Sequence, residues 1–188
     1  MPRSGRLWRH VIINTRCTWL HGDPRGFRSR EHRIHSSGDY RNPPPKGEHA
    51  GLHQFQRDQT RDEVRIGRSD RAIIGREIVR YLQTEGFRTL AIAVTKVHTH
   101  LLVELPGALG EVKTIIGSAK KRSSRAMKQT LHGSIWAAGG KYKRVLESSH
   151  LENAFKYILY DQGGDAWTWS YRDGTLEGQS GRRRSDVR

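Results

Sequence analysis

The sequence Val-His-Thr-His-Leu-Leu-Val-Glu-Leu, residues 97–105, decides the predicted fold. Its apolar and β-branched residues predict a β-strand, which Pro106 and Gly107 bring to an end. Side chains alternate between the two faces of a strand, so His98 and His100 lie on the same face. Two imidazoles held in this way can bind one metal ion, or they can simply be two histidines on an exposed sheet face.

Patterns on both sides of this strand predict the other elements. Ile74, Ile78 and Leu82 recur at four-residue spacing before Gly86, which predicts a helix with a C-terminal glycine. In chain order, the predicted elements are a strand within 7–20, a helix over 69–86, strands over 87–97 and 98–105, a helix over 108–130, a weaker strand within 134–146 and a helix over 150–162. This order predicts an α+β fold of the ferredoxin-like, split βαβ type, with an antiparallel sheet, helices on one face and an additional C-terminal helix.

The charge and composition of the chain restrict its partners. It has 34 Lys and Arg against 19 Asp and Glu, a formal net charge of +15, and a hydrophobic content of 34%. No apolar run approaches the ~18–20 residues of a membrane span, and the N-terminal residues lack a signal-peptide core, so we expect a cytoplasmic protein without a membrane partner. The single cysteine, Cys17, excludes an internal disulfide framework. A polyanion, most commonly nucleic acid, is the expected partner.

The domain organisation follows from where the apolar residues lie. We expect one domain over residues 1–171, followed by a basic tail, 172–188, without regular structure. Residues 21–68 form an irregular basic insert, in which no periodicity is long enough to predict a helix or a strand. Such a long irregular stretch is unusual within a domain, so the insert either has a function or is held by contacts that the sequence does not reveal.

The last predicted helix places a tyrosine near its buried face. On a helical wheel, Tyr157 lies on the flank of the apolar stripe, and Asp161 follows one turn later at about 40° from it. Gln162 falls near the middle of the stripe at the end of the helix, whereas Tyr160 points away from it. Tyr157 can therefore meet a metal held by histidines on the sheet, or it can be an ordinary boundary tyrosine with a hydrated hydroxyl group.

Several of these segments together resemble a known family. Residues 97–103, Trp136, residues 143–145 and residues 154–158 are similar to the corresponding segments of the single-tyrosine HUH transposases, which are the short enzymes of small insertion sequences and their REP-associated relatives. The resemblance covers roughly residues 8–20 and 69–163. It implies DNA transposition and recombination, in which single-stranded DNA is cleaved and rejoined through a 5′-phosphotyrosine intermediate.

The resemblance also implies roles for individual residues. His98 and His100 are expected to bind a divalent metal, Mg²⁺ or Mn²⁺, and Tyr157 is expected to be the nucleophile. The family commonly has an amide-bearing third ligand four residues after the tyrosine, where this chain has Asp161 and the nearest amide is Gln162. Because Asp161 lies on the same flank of the helix as Tyr157, it is the first candidate for the third metal ligand, and Gln162 is the second.

The expected partner is single-stranded DNA, in particular the hairpin-forming ends of an element, and the family analogy implies a homodimer. A basic cluster on the second predicted helix is expected to contact phosphates, although it can also be a solvated helix face; its members are Lys120, Lys121, Arg122, Arg125 and Lys128. The alternatives to a transposase are a non-enzymatic single-stranded nucleic-acid-binding module of the same fold and a related HUH nicking endonuclease.

Overall fold

In the computed structural model the described residues are 1–27, 34–38, 42, 44–60 and 62–174. They form four α-helices and five β-strands. In chain order these are β1 (Arg6–Asn14), α1 (Ala50–Gln59), α2 (Arg68–Thr84), β2 (Thr89–Val94), β3 (His98–Pro106), α3 (Leu109–Ala126), β4 (Lys141–Val145), α4 (Ser148–Tyr160) and β5 (Trp167–Ser170), with a final 3-10 turn at Tyr171–Asp173. The chain divides into two compact units, Met1–Thr15 with Arg65–Arg188, and Arg16–Val64.

The first unit contains a five-stranded sheet with the order β4-β1-β3-β2-β5, and every pair is antiparallel. The four strands β4-β1-β3-β2, with α2 and α3 between them in sequence, form the ferredoxin-like arrangement, so the predicted α+β fold is confirmed. Strand β3 lies at the centre, and its His100 is paired with Ile12 on one side and Ala93 on the other. Both edges of β3 are therefore paired, and the side chains from Thr99 to Leu105 are buried.

Helices α2 and α3 cover one face of the sheet. Gly75 of α2 lies directly against the indole ring of Trp167, and Trp167 is paired with Val94 of β2. Trp167 and Val94 therefore lie on the face that α2 and α3 cover. Ile92 and Leu101 are buried on the same face. Helix α3 packs against α2 on this side.

Helix α4 packs on the opposite face. Its buried residues Ala154 and Ile158 form one apolar cluster with Leu102, Ala91 and Trp8. Because Leu102 and His100 are two residues apart on β3, the face beneath α4 is also the face that carries the two histidines. The last helix is thus positioned over the candidate site.

A buried carboxylate occupies the other end of this face. Glu104 has no solvent exposure and accepts hydrogen bonds from Nε and Nη2 of Arg88 at 2.9 and 2.7 Å. Hydrogen bonding from Arg88 lowers the pKa of Glu104 to about 2, with a further contribution from Arg3. Nε of Arg3 also lies 3.8 Å from the Glu104 carboxylate, so this ion cluster connects the N-terminal residues to the sheet.

Two strand boundaries differ from the sequence prediction. The first strand ends at Asn14 and does not continue to residue 20, because Cys17 has a positive φ of 62° that a regular strand does not permit. The predicted strand within 134–146 is shorter, and only Lys141–Val145 forms β4. Trp136 instead makes an isolated bridge to Thr15.

Two elements had no counterpart in the prediction. Helix α1 lies in the insert and has no buried residue, and its two large apolar residues, Leu52 and Phe55, are too few to predict a helix. Strand β5 is only four residues long, and its Trp-Thr-Trp alternation is too short to have been assigned. Among the described residues, no helix is both long and apolar enough to cross a membrane. Most of the predicted tail, residues 175–188, lies outside the described residues.

The second unit, Arg16–Val64, has its own aromatic contacts. The ring of Phe27 is buried between His21 and His49, with ring centroids 5.6 and 5.0 Å apart. The indole N–H of Trp19 donates a hydrogen bond to a loop carbonyl, and the guanidinium of Arg25 lies 4.3 Å from the Trp19 ring centroid. The described part of the insert is therefore held by specific contacts.

Candidate active site

The two histidines of β3 form the base of the site. The ring centroids of His98 and His100 are 4.8 Å apart, with the ring planes nearly perpendicular. His100 is buried in the middle of the sheet, whereas His98 is half-buried at the first residue of the strand. The alternation in the sequence predicted this shared face, and the central position of β3 makes it rigid.

Tyr157 of α4 reaches the same face. Its ring centroid lies 5.4 Å from that of His100, in an edge-to-face orientation. The buried neighbours Ala154 and Ile158 hold this side of the helix against the sheet, while Tyr157 itself keeps 43% of its surface exposed. Tyr157 therefore contacts His100 and remains accessible to solvent. Tyr160, on the same helix, is 52% exposed.

The end of α4 determines which of the two candidate third ligands is near the histidines. Oε1 of Gln162 lies 3.3 Å from Nε2 of His98, and the Gln162 amide donates to the backbone carbonyl of Tyr157. Asp161 is exposed, and its backbone N–H donates a hydrogen bond to the same carbonyl. Because the helix ends at Tyr160, a helical wheel no longer gives the direction of residues 161 and 162. The structure brings Gln162, and not Asp161, to the histidines.

A third histidine, which the sequence analysis did not single out, completes the cluster. Nε2 of His10 on β1 lies 2.9 Å from Nδ1 of His100, and the His10 ring centroid is 6.1 Å from that of Tyr157. His10 is paired with Leu102 and lies in the predicted first strand. The register between this strand and residues 98–105, together with side-chain alternation, places His10 on the same face as His100.

Burial keeps the two inner histidines uncharged. It lowers the pKa of His10 to about 4, and the nearby charges of Lys143 and His150 act in the same direction. Burial likewise lowers the pKa of His100 to about 3, with smaller effects from His98, His10 and Lys143. Neutral imidazoles have the free lone pair that metal binding requires.

The donor set fits a divalent metal ion. His98 and His100 supply imidazole nitrogens and Gln162 supplies an amide oxygen, a combination suited to Mn²⁺ and, with added water, to Mg²⁺. Two ligand atoms that are each about 2.1 Å from an ion, at a right angle, are about 3 Å apart, which is close to the 3.3 Å between Gln162 and His98. Within the described part of the chain, no group of three or more His, Cys, Asp or Glu side chains is arranged to hold a metal.

The five basic residues predicted to contact DNA all belong to α3 or the turn that follows it, but they do not share one environment. Nζ of Lys120 donates hydrogen bonds of 2.6 and 2.9 Å to the carbonyls of Ala137 and Gly139, and burial lowers the pKa of this lysine. Lys120 is thus engaged in holding a loop. The other four are exposed: Lys121, Arg122, Arg125 and Lys128. The guanidinium of Arg122 also lies 5.7 Å from the ring centroid of Tyr81 in α2.

The chain has a distant similarity to a solved structure. No family model matches the chain, and no curated protein matches it. Among solved structures, it is similar to a REP-associated tyrosine transposase bound to a REP hairpin, at 13% sequence identity and a TM-score of 0.46, over 86% of this chain and 68% of that one.

Proposed function

We propose that this protein is a metal-dependent, single-tyrosine DNA transposase that cuts and rejoins single-stranded DNA. The proposal rests on the contact between Tyr157 and His100, whose ring centroids are 5.4 Å apart. His98 and Gln162 are in contact on the same face of the sheet. A nucleophile and a set of metal ligands are thus combined at a site that is open to solvent on the tyrosine side.

In this proposal His98, His100 and Gln162 hold the divalent ion, Mg²⁺ or Mn²⁺. The ion, when bound, supplies positive charge beside a non-bridging phosphate oxygen and so eases the build-up of negative charge during the reaction. Histidine nitrogens that are already neutral bind it without first losing a proton. The hydrogen bond from Gln162 to the Tyr157 carbonyl keeps the amide ligand and the nucleophile in one local structure.

Tyr157 performs the covalent step. Its phenolic oxygen attacks the phosphorus of a DNA phosphodiester, a new P–O bond forms, and the bond to the 3′ oxygen breaks. The products are a 5′-phosphotyrosine and a free 3′-hydroxyl group; the phenolic proton leaves to solvent, and the departing 3′ oxygen gains one. Attack by a 3′-hydroxyl on the phosphotyrosine reverses these steps and releases Tyr157, so rejoining needs no nucleotide cofactor.

The substrate class follows from charge and exposure. The exposed basic residues of α3 and the net charge of +15 favour a polyanion, and a tyrosine beside a sheet face suits a strand that is not base-paired. The recognition of hairpin-forming element ends and the action as a homodimer are parts of the proposal. A related HUH nicking endonuclease shares this site and differs in the DNA it selects.

The identity of the nucleophile tests the proposal. The protein is incubated with a single-stranded hairpin oligonucleotide and Mn²⁺, and the covalent adduct is mapped by mass spectrometry. We expect the adduct on Tyr157, its loss in Tyr157→Phe and its retention in Tyr160→Phe, a matched control on the same helix. DNA binding without any adduct indicates the non-enzymatic binding module, and an adduct that persists in Tyr157→Phe contradicts the assignment.

A further inference from the structure

We propose that His10 is a positioning residue, which accepts a hydrogen bond from His100 and thereby directs the other nitrogen of the His100 ring to the metal. The inference rests on the proposed function, because it assigns His100 as a ligand. His10 belongs to β1, a second strand of the site, and its role here is distinct from metal ligation.

The two rings are joined by one hydrogen bond. Nε2 of His10 lies 2.9 Å from Nδ1 of His100, and the rings are tilted by 37° with centroids 5.1 Å apart. At this separation, one of the two nitrogens carries the shared proton and the other accepts it. Which nitrogen carries the proton determines the tautomer of His100.

Metal binding requires one of the two arrangements. If Nδ1 of His100 donates to His10, then Nε2 of His100 has a free lone pair for the metal. If His10 donates instead, the proton of the neutral His100 ring is on Nε2, and this nitrogen has no lone pair to offer. His10 as the acceptor therefore selects the tautomer of His100 that can bind a metal, and it fixes the orientation of that ring.

The surroundings of His10 favour this role over direct ligation. Its Nε2 is already engaged with His100, and its side chain is 8% exposed beneath α4. The third donor beside His98 is Gln162. His10 lies on β1 between β3 and β4, so the sheet holds its backbone on both sides. It is thus a fixed acceptor and not a mobile one.

Two substitutions distinguish the hydrogen-bond acceptor of His10 from the space that its ring fills. His10→Gln places an amide oxygen near the position of Nε2, whereas His10→Leu fills the space and accepts no hydrogen bond. We expect His10→Leu to weaken Mn²⁺ binding by ~10–100-fold, as is usual when the partner of a metal ligand is removed, and His10→Gln to restore most of the loss. Isothermal titration calorimetry with Mn²⁺ alone measures the affinity without DNA, and circular dichroism establishes that both variants are folded.

The tautomer is measured directly in the unsubstituted protein. With Zn²⁺ as a diamagnetic probe, two-dimensional ¹H–¹⁵N NMR of the histidine side chains is expected to show the His100 proton on Nδ1. A proton on Nε2 of His100 in the loaded protein overturns the proposal, as does equal Mn²⁺ affinity in His10→Leu and the unsubstituted protein. Both results leave the Tyr157 adduct untouched, so they differ from a failure of the proposed function, which is a lack of adduct. Failure of the unsubstituted protein to bind Mn²⁺ overturns both.

Discussion

Acidification is expected to destabilise the metal-free protein through two histidines of the site. The pKa of His10 is lowered to about 4 and that of His100 to about 3, mainly by burial, from the ordinary value of 6.5 that applies in the unfolded chain. Below this ordinary value the unfolded chain binds protons that the folded protein does not. The free energy of unfolding is therefore highest above pH 6.5, and it decreases as the pH falls below 6.5 because protons bind to the unfolded chain.

The size of the effect is set mainly by the unfolded state. At about pH 5 both histidines are still uncharged in the folded protein, because their pKa values there are below the pH. The loss of folding free energy therefore depends on the difference between the unfolded-state pKa of 6.5 and the pH, which is about one and a half units. At about 1.4 kcal/mol per unit, each histidine costs about 2 kcal/mol, and the pair costs about 4 kcal/mol. This is a large part of a typical folding free energy of ~5–15 kcal/mol.

Urea denaturation followed by tryptophan fluorescence, with a metal chelator present, measures this loss between about pH 8 and pH 5. The matched control is the double variant His10→Gln with His100→Gln, which cannot take up these protons. We expect the unsubstituted protein to lose about 4 kcal/mol and the double variant to lose much less. Equal stability of the unsubstituted protein at the two pH values refutes the reasoning, and so does an equal loss in the double variant.

Two further predictions use matched pairs of residues. Gly75→Ala is expected to lower the free energy of unfolding by ~1–3 kcal/mol in urea titrations, because the added methyl group overlaps the buried ring of Trp167. Gly117→Ala, in α3 with no heavy atom within 4 Å of its Cβ position, is expected to raise it by ~0.5–1 kcal/mol; a shift of both variants in the same direction contradicts the packing. Lys120→Met is expected to destabilise the fold by ~1–3 kcal/mol, through loss of its bonds to two loop carbonyls, and to leave the salt dependence of single-stranded DNA binding unchanged. Lys121→Met is expected to leave stability unchanged and to reduce the log–log salt slope by about 0.7, and the opposite pattern contradicts our division of the basic residues.

The elements that the sequence predicted are those with a local pattern. Alternation in residues 97–105 gave the strand β3 and the shared face of its histidines, and the spacing of Ile74, Ile78 and Leu82 gave α2. These patterns depend only on residues that are neighbours in the chain. Helix α1 has only Leu52 and Phe55 as large apolar residues, and neither is buried, so the sequence has no apolar stripe long enough to predict it.

The site shows the same division between local and long-range information. The position of Tyr157 on its helix is local, and a helical wheel predicted its proximity to the sheet. The environment of His10 depends on the register between β1 and β3, which is set by side chains that are 90 positions apart in the chain. Gln162 lies two residues beyond the last helical residue, Tyr160, where the direction of a side chain depends on how the helix ends.

Helix α4 has a consequence for how the site is assembled. It carries Tyr157, and the turn at its end carries Gln162, whose amide is bound to the Tyr157 carbonyl. The histidines, by contrast, belong to the interior strands of the sheet. Because one helix and the turn at its end carry both side chains, a displacement of α4 from the sheet moves Tyr157 and Gln162 together. The same displacement leaves His10, His98 and His100 in place, because the sheet holds them through the pairing of β1 and β3.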